Sequence, residues 1–194
     1  LLDWLFDYVL PMEASLSAHE MEIAAKLGYL EMIESGTTTC VDHLSVAHAD
    51  EAFEAAGEIG IRGVLGKVMM DQRSPDGLLE DTQVALDESE RLIQQYHGSF
   101  DDRIRYAVTP RFAVSCSEEC LRGARELAED DVVRVVLVVF GGDGEAVAGS
   151  LDARDGRALV SLHAEVVGLL AGGREVRVAV YRPDSGVVEQ VCLV

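Results

Sequence analysis

Apolar and polar positions along the chain alternate between two periods. Over residues 17–35, SAHEMEIAAKLGYLEMIES, the apolar side chains Ile23, Leu27, Leu30 and Ile33 recur at helical spacing. Ser17 and Glu20 have the spacing of a capping box, and Gly36 marks the stop. The β-branched run TTTCVDH that follows predicts a buried strand ending at Asp42 or His43. Residues 48–59 predict a second helix, and IRGVLGKVMMD, residues 61–71, a second strand. SPDG at 74–77 is a turn. A helix with an acidic face is predicted over 78–97, a strand over IRYAVTP, and a helix over SEECLRGARELAED capped by Ser117.

Helices and strands that alternate in this way imply an α/β fold, a parallel sheet with helices packed outside it. Such sheets build their sites at the C-terminal ends of the strands. The residues expected there are Asp42 and His43, Lys67 and Asp71, and Arg111 and Phe112. Pro110-Arg111-Phe112 has two readings. Either Pro110 ends a strand and Phe112 caps the core, or Arg111 and Phe112 clamp a flat polar ring. The position at a strand end favours the clamp.

The character changes beyond about residue 129. A Val-rich strand, a Gly-rich turn and a second strand precede an apolar helix and a hairpin turned at PDSG, a β-β-α-β-β order. The expected division is 1–128 and 129–194. The GGDG stretch lacks the Lys-Ser/Thr and helix start of a phosphate loop.

Composition narrows the function. Of 194 residues, 48% are hydrophobic, enough for a sizeable core, yet no run approaches a membrane span. The opening LLDWLFDYVLP carries two Asp and does not read as a signal peptide. No membrane partner and a cytoplasmic location are expected. The net charge of −19, with no basic stripe, excludes a nucleic-acid partner. Only Lys26 and Lys67 are lysines, against fourteen arginines. Acid excess with few lysines suggests a salt-loving (halophilic) cell, where salt screens the self-repulsion. Cys40, Cys116, Cys120 and Cys192 form no CxxC pair and are expected as free, buried or half-buried thiols.

Five stretches together resemble one family: LLDWLFDYVLPMEA at 1–14, SGTTTCVD at 35–42, GKVMMD at 66–71, PDGL at 75–78 and YAVTPRFAVSCS at 106–117. Residues 1–128 resemble the interior of a metal-dependent amidohydrolase, in the branch of guanine deaminases and related purine or adenosine deaminases. GTTT is common to many amidohydrolases, whereas GKVMMD with TPRFAVSCS is more specific. The resemblance implies a partial TIM-type (β/α) barrel of about three to four strands, followed by a small α+β segment. It implies that Arg111 and Phe112 line a purine pocket, Arg111 on the acceptors of the base and Phe112 on its ring. Trp4 and Glu13 match positions at the pocket mouth that hold a nucleoside in the adenosine-type relatives.

Family members remove an amino group from a purine-type ring with water activated by zinc or iron. The family's ligands are an HxH pair, single histidines on strands five and six and an aspartate on strand eight. None can be placed on His19, His43, His48, His97 or His163. His19, His48 and His97 are expected at helix ends, solvated. The chain alone is therefore expected to hold no catalytic residue, no metal and no cofactor. It reads as a truncated, inactive hydrolase fragment, binding a purine-like small molecule only where a complete site is assembled. The alternatives are a subunit of a split deaminase with a complementing chain, and a non-enzymatic roadblock-like dimerisation protein acting through residues 129–194. A homo-oligomer is compatible with each.

Overall fold

The structure is a computed structural model that describes residues 4–111, 115–130, 134–140, 146–151, 177–181 and 188–192, with side chains described up to residue 128. A π-helical turn, Leu5–Val9, runs into α1, Leu10–Ser15. Then follow α2 (Ala18–Glu34), β1 (Thr39–His43), α3 (Ala49–Ile59), β2 (Arg62–Gly66) and β3 (Val68–Met69). The next elements are α4 (Thr82–Tyr96), a left-handed turn at Ser99–Asp102, β4 (Ile104–Pro110) and α5 (Glu118–Asp130). The last are β5 (Arg134–Phe140), β6 (Ala146–Leu151), β7 (Arg177–Tyr181) and β8 (Val188–Cys192).

Strands β1, β2, β4 and β5 lie side by side in chain order, and every pair among them is parallel. Right-handed crossovers between neighbours taken in order put every helix on the same face of the sheet. One buried cluster bears this out: it unites Tyr29 of α2, Phe53 of α3, Leu92 of α4 and Ala124 of α5 with Leu65, Ile104 and Tyr106 of the sheet. A doubly wound sheet would divide its helices between two faces. The arrangement is thus an arc of a TIM-type (β/α) barrel. Phe53 centres the cluster, stacked on Tyr96 at 4.6 Å and on Tyr106 at 5.7 Å between ring centroids. A second cluster, Leu5, Leu10, Val46, Val68, Met70 and Leu78, seats the N-terminal helical arm.

The arc does not stop at residue 128, since β5 joins it in register Ala107↔Arg134. β6 then returns antiparallel to β5, and β7 with β8 forms a separate antiparallel pair. The helix expected between β6 and β7, with His163, and the turn PDSG lie outside the described residues.

Three expectations need correction. The strand expected over 61–71 is interrupted at Lys67, because the Thr109 hydroxyl takes the Lys67 carbonyl at 2.5 Å and Val68 N–H turns to Ser45 O at 3.1 Å. The helix expected from residue 78 starts at Thr82. Residues 76–78 form a 3-10 turn, and the Asp81 carboxylate caps the helix on the N–H groups of Gln83 and Val84. In α2 the capping box of Ser17 and Glu20 is present, but Ile23, Leu27, Leu30 and Ile33 face outward. The helix instead buries Met21 and Tyr29. It is apolar on both faces, so periodicity alone could not choose the inner one.

Candidate functional site

The C-terminal ends of β1 and β4 and the helical arm converge on one groove of ≈300 Å³. Its polar lining is Glu13, Asp42, His43, Ser45 and Arg111, beside Tyr29; Met21, Ala25 and Met32 of α2 supply apolar wall. α1 carries Glu13 over the strand ends because Leu10, 1% exposed, is anchored with Leu78 and Val68 below it. The Glu13 carboxylate accepts from Arg111 Nη1 at 2.7 Å and from the Ser45 hydroxyl at 2.9 Å. Arg111 follows Pro110 at the end of β4, and its N–H donates to Met69 O at 3.2 Å, so the backbone is pinned as well.

Adjacent residues on a strand face opposite ways. Asp42 points to the helices and accepts the Tyr29 hydroxyl at 3.0 Å. Burial drives the Asp42 carboxyl above its usual range, against the pull of the Tyr29 hydrogen bond. His43 takes the other face. Both of its ring nitrogens are buried and lack a hydrogen-bond partner among the described residues. Burial, reinforced by the Arg111 charge, pushes the imidazole down to about 4, so it is neutral at physiological pH.

Of the four residues expected to face a ligand, Glu13 and Arg111 are brought together. They are paired with each other, which gives Glu13 the task of orienting Arg111. Trp4 stands on the helical arm, 57% exposed. Phe112 lies outside the described residues. Ser45 was not singled out in the sequence; its signal is its place two residues beyond His43, at the same strand end.

The other strand-end candidates serve the scaffold. Lys67 is buried, donating to Glu80 at 2.5 Å and to Val68 O at 3.1 Å. Burial lowers the lysine and raises the glutamate, and their mutual attraction opposes both shifts. Asp71 accepts Ser117 N–H and Thr82 Oγ1, each at 2.6 Å, together with the Ser117 hydroxyl. His97 is half-buried rather than solvated, and its Nδ1 accepts Tyr106 N–H at 3.2 Å. His48 is likewise half-buried, in the left-handed region at φ 61° before α3. His19 is exposed as expected. Cys40, Cys116 and Cys120 are free and buried.

The donor set does not suit a metal ion. A catalytic zinc needs three protein ligands, and among the described residues no three His, Cys, Asp or Glu side chains converge. His43 is the imidazole nearest the groove, and its strand neighbour Asp42 faces the other way, toward Tyr29. No helix among the described residues is long and apolar enough to cross a membrane.

Known proteins share this architecture. The chain is 37% identical over 136 residues to a 5'-deoxyadenosine deaminase of Methanothermobacter thermautotrophicus, covering 70% of this chain and 30% of that protein. It is 35% identical over 135 residues to a guanine deaminase of Escherichia coli, covering 67% and 30%. The solved E. coli guanine deaminase superposes with a TM-score of 0.67 at 31% identity, over 74% of this chain and 34% of that one. A guanine deaminase from C. acetobutylicum with bound guanine in its active site superposes equally well, at 0.67 and 29% identity. The chain spans about 30% of the length of the curated relatives it matches. The model of the amidohydrolase family matches residues 1–182, beyond the division expected at residue 128. With sequence, superposition and the in-order parallel arc in agreement, the chain belongs to the amidohydrolase family.

Proposed function

We propose that this chain is the substrate-facing part of a deaminase-type amidohydrolase barrel and is inactive alone. Its substrate would be a purine-type ring carrying an exocyclic amino group. The observation that supports this reading is the Glu13–Arg111–Ser45 constellation, fixed at the strand ends where (β/α) barrels place their sites. A guanidinium anchored by a carboxylate is positioned to meet the acceptor edge of a heterocycle. Phe112, next in the chain, would add a ring face. Neutral His43 offers one donor and one acceptor at the same groove. The metal that activates water in the family finds no ligand set among the described residues, so no hydrolytic step is assigned to this chain.

Ammonia release from guanine and from 5'-deoxyadenosine, measured on purified protein with added zinc or iron, tests the proposal. No turnover is expected, whereas steady turnover in the wild-type chain, lost in Arg111→Ala, refutes inactivity.

A second reading, a subunit completed by another polypeptide, draws on one specific feature. Among the described residues β1 pairs with β2 alone, and its other edge lies open beside the groove under α2. A helix that precedes a parallel strand ordinarily descends from a neighbouring strand, and this edge is where that strand would pair. Isolation from the native cell decides: the split subunit recovers a second amidohydrolase polypeptide in equal amount, and the inactive fragment does not.

A further inference from the structure

We propose that Cys116 and Cys120 form a reversible dithiol–disulfide pair whose oxidation loosens the hold on Arg111. The inference does not depend on the deaminase reading. It lies inside the described arc, where β3, the end of β4 and the start of α5 meet. Both residues are buried, at 2% and 0% exposure, and both are reduced. Ser117 caps α5, its hydroxyl accepting Cys120 N–H at 3.0 Å. Cys116 therefore stands just outside the helix and Cys120 in its first turn. The two thiols are neighbours: the Cys120 thiol is driven up, first by its hydrogen bond with Cys116 and then by burial. Cys40, the other buried thiol among the described residues, lies toward the N-terminal ends of the strands, against Arg62 O at 3.8 Å.

What the pair controls follows from one carbonyl. Met69 O accepts the Cys116 thiol at 3.2 Å and Arg111 N–H at 3.2 Å, so both of its lone pairs are engaged. The backbone around Cys116 extends the same seam. Ser115 O accepts the N–H groups of Asp71 and Gln72, and Cys116 O accepts Gln72 Nε2 at 2.9 Å. On a helix, Cβ atoms four residues apart stand about 5–6 Å from each other, whereas a disulfide needs about 3.5–4.5 Å. Closure must therefore draw Cys116, the partner outside the helix, inward by on the order of 1 Å. It also removes the thiol proton. Met69 O then loses that donor, and the peptide that pins Arg111 is freed on one side.

The reaction balances with a hydroperoxide as oxidant. One thiolate attacks the O–O bond, giving a sulfenic acid and releasing an alcohol, or water where the oxidant is hydrogen peroxide. The second thiol displaces water from that sulfur, and the S–S bond forms. Two thiols and one hydroperoxide thus give one disulfide, one alcohol and one water. A small dithiol reverses the step by exchange and leaves as its own disulfide. Burial and a firmly held proton keep the pair unreactive at rest. Oxidation waits on opening of the first turn of α5, so the pair answers sustained rather than passing exposure to oxidant.

Trypsin cutting after Arg111 and Arg122 leaves both thiols in one peptide, residues 112–122. The full chain is treated with hydrogen peroxide, alkylated, digested and weighed. The expected result is that this peptide loses two hydrogen atoms and escapes alkylation, and that dithiothreitol restores it. Amide hydrogen exchange at Arg111 should quicken roughly fivefold on closure. Cys116→Ser keeps a donor for Met69 O but cannot close, so exchange at Arg111 should stay slow with and without peroxide. Cys40→Ser should behave as the wild type does. The proposal is overturned if the peptide keeps both thiols, or if Cys116 or Cys120 bonds instead to Cys40 or Cys192. It is overturned equally if closure leaves the exchange at Arg111 unchanged, or if Cys116→Ser answers peroxide as the wild type does.

Discussion

Glu13 Oε2 and Arg111 Nη1 meet at 2.7 Å although 98 residues separate them in the chain. The contact fastens the N-terminal arm across the end of β4. Both side chains are largely buried, at 12% and 14% exposure, which gives the pair leverage that surface pairs lack. Arg111→Ala leaves a desolvated carboxylate with Ser45 and no countercharge. It should cost about 3 kcal/mol in urea denaturation. Adding Glu13→Ala should recover part of that loss, because the stranded charge is gone. Additive single losses would show that the two residues act independently.

His43 supplies a pH dependence with a definite sign. Its folded-state value lies near 4, below the ordinary 6.5. Between those values the unfolded chain takes up a proton that the folded chain refuses. Stability is therefore full above about 6.5 and declines as pH falls toward 4, by up to about 3 kcal/mol. Asp42, shifted upward by burial, pulls the acid limb the other way. His43→Leu removes the histidine contribution alone and should flatten the decline from pH 6.5 to 4. An unchanged slope in that variant would falsify the assignment.

Gly66, the last residue of β2, has no room for a side chain. A Cβ there would stand 2.2 Å from the backbone oxygen of Ala107 and 2.4 Å from Thr109 Cγ2. The first of these belongs to a core strand and cannot swing away. Gly66→Ala should cost roughly 2–4 kcal/mol or prevent folding. Gly28→Ala, with nothing within 4 Å of the new methyl, should be neutral or stabilise α2 by about 0.5–1 kcal/mol. Thermal melts of the two variants moving in the same direction would contradict this account.

Asp71 receives Ser117 N–H, the Ser117 hydroxyl and the Thr82 hydroxyl. Burial raises its carboxyl, but these hydrogen bonds together win and hold it below the usual range. Asp71→Ala should therefore cost about 2–3 kcal/mol. The loss should shrink as pH falls through the wild-type carboxyl, since protonation already weakens those bonds there. A loss independent of pH would assign Asp71 a packing role instead.

The alternation of elements was legible because most helices here are amphipathic and most strands end in recognisable punctuation. Ser17, Gly36 and Ser117 marked boundaries that the structure shares. The strand ends followed, and with them the neighbourhood of Arg111 and His43. Three features stayed hidden, each for a physical reason. The inner face of α2 was ambiguous because that helix has apolar residues all round. The interruption at Lys67 depends on the Thr109 hydroxyl, 42 residues away. The pairing of Glu13 with Arg111 is a tertiary contact with no local pattern, and the resemblance offered each residue a ligand instead of a neighbour.

The flank of β1 that no strand among the described residues covers has a consequence for the life of the chain before any partner or ligand arrives. Unpaired backbone groups on a strand are a template on which other chains can extend a sheet. β1 is only five residues long, Thr39–His43. Brevity is one means by which natural sheets blunt such hazards. Acidity contributes at longer range, since molecules that repel one another seldom collide edge to edge. Newly made copies should thus stay dispersed in dilute buffer, and crowding with strong screening should turn the same edge into a nucleus for aggregation.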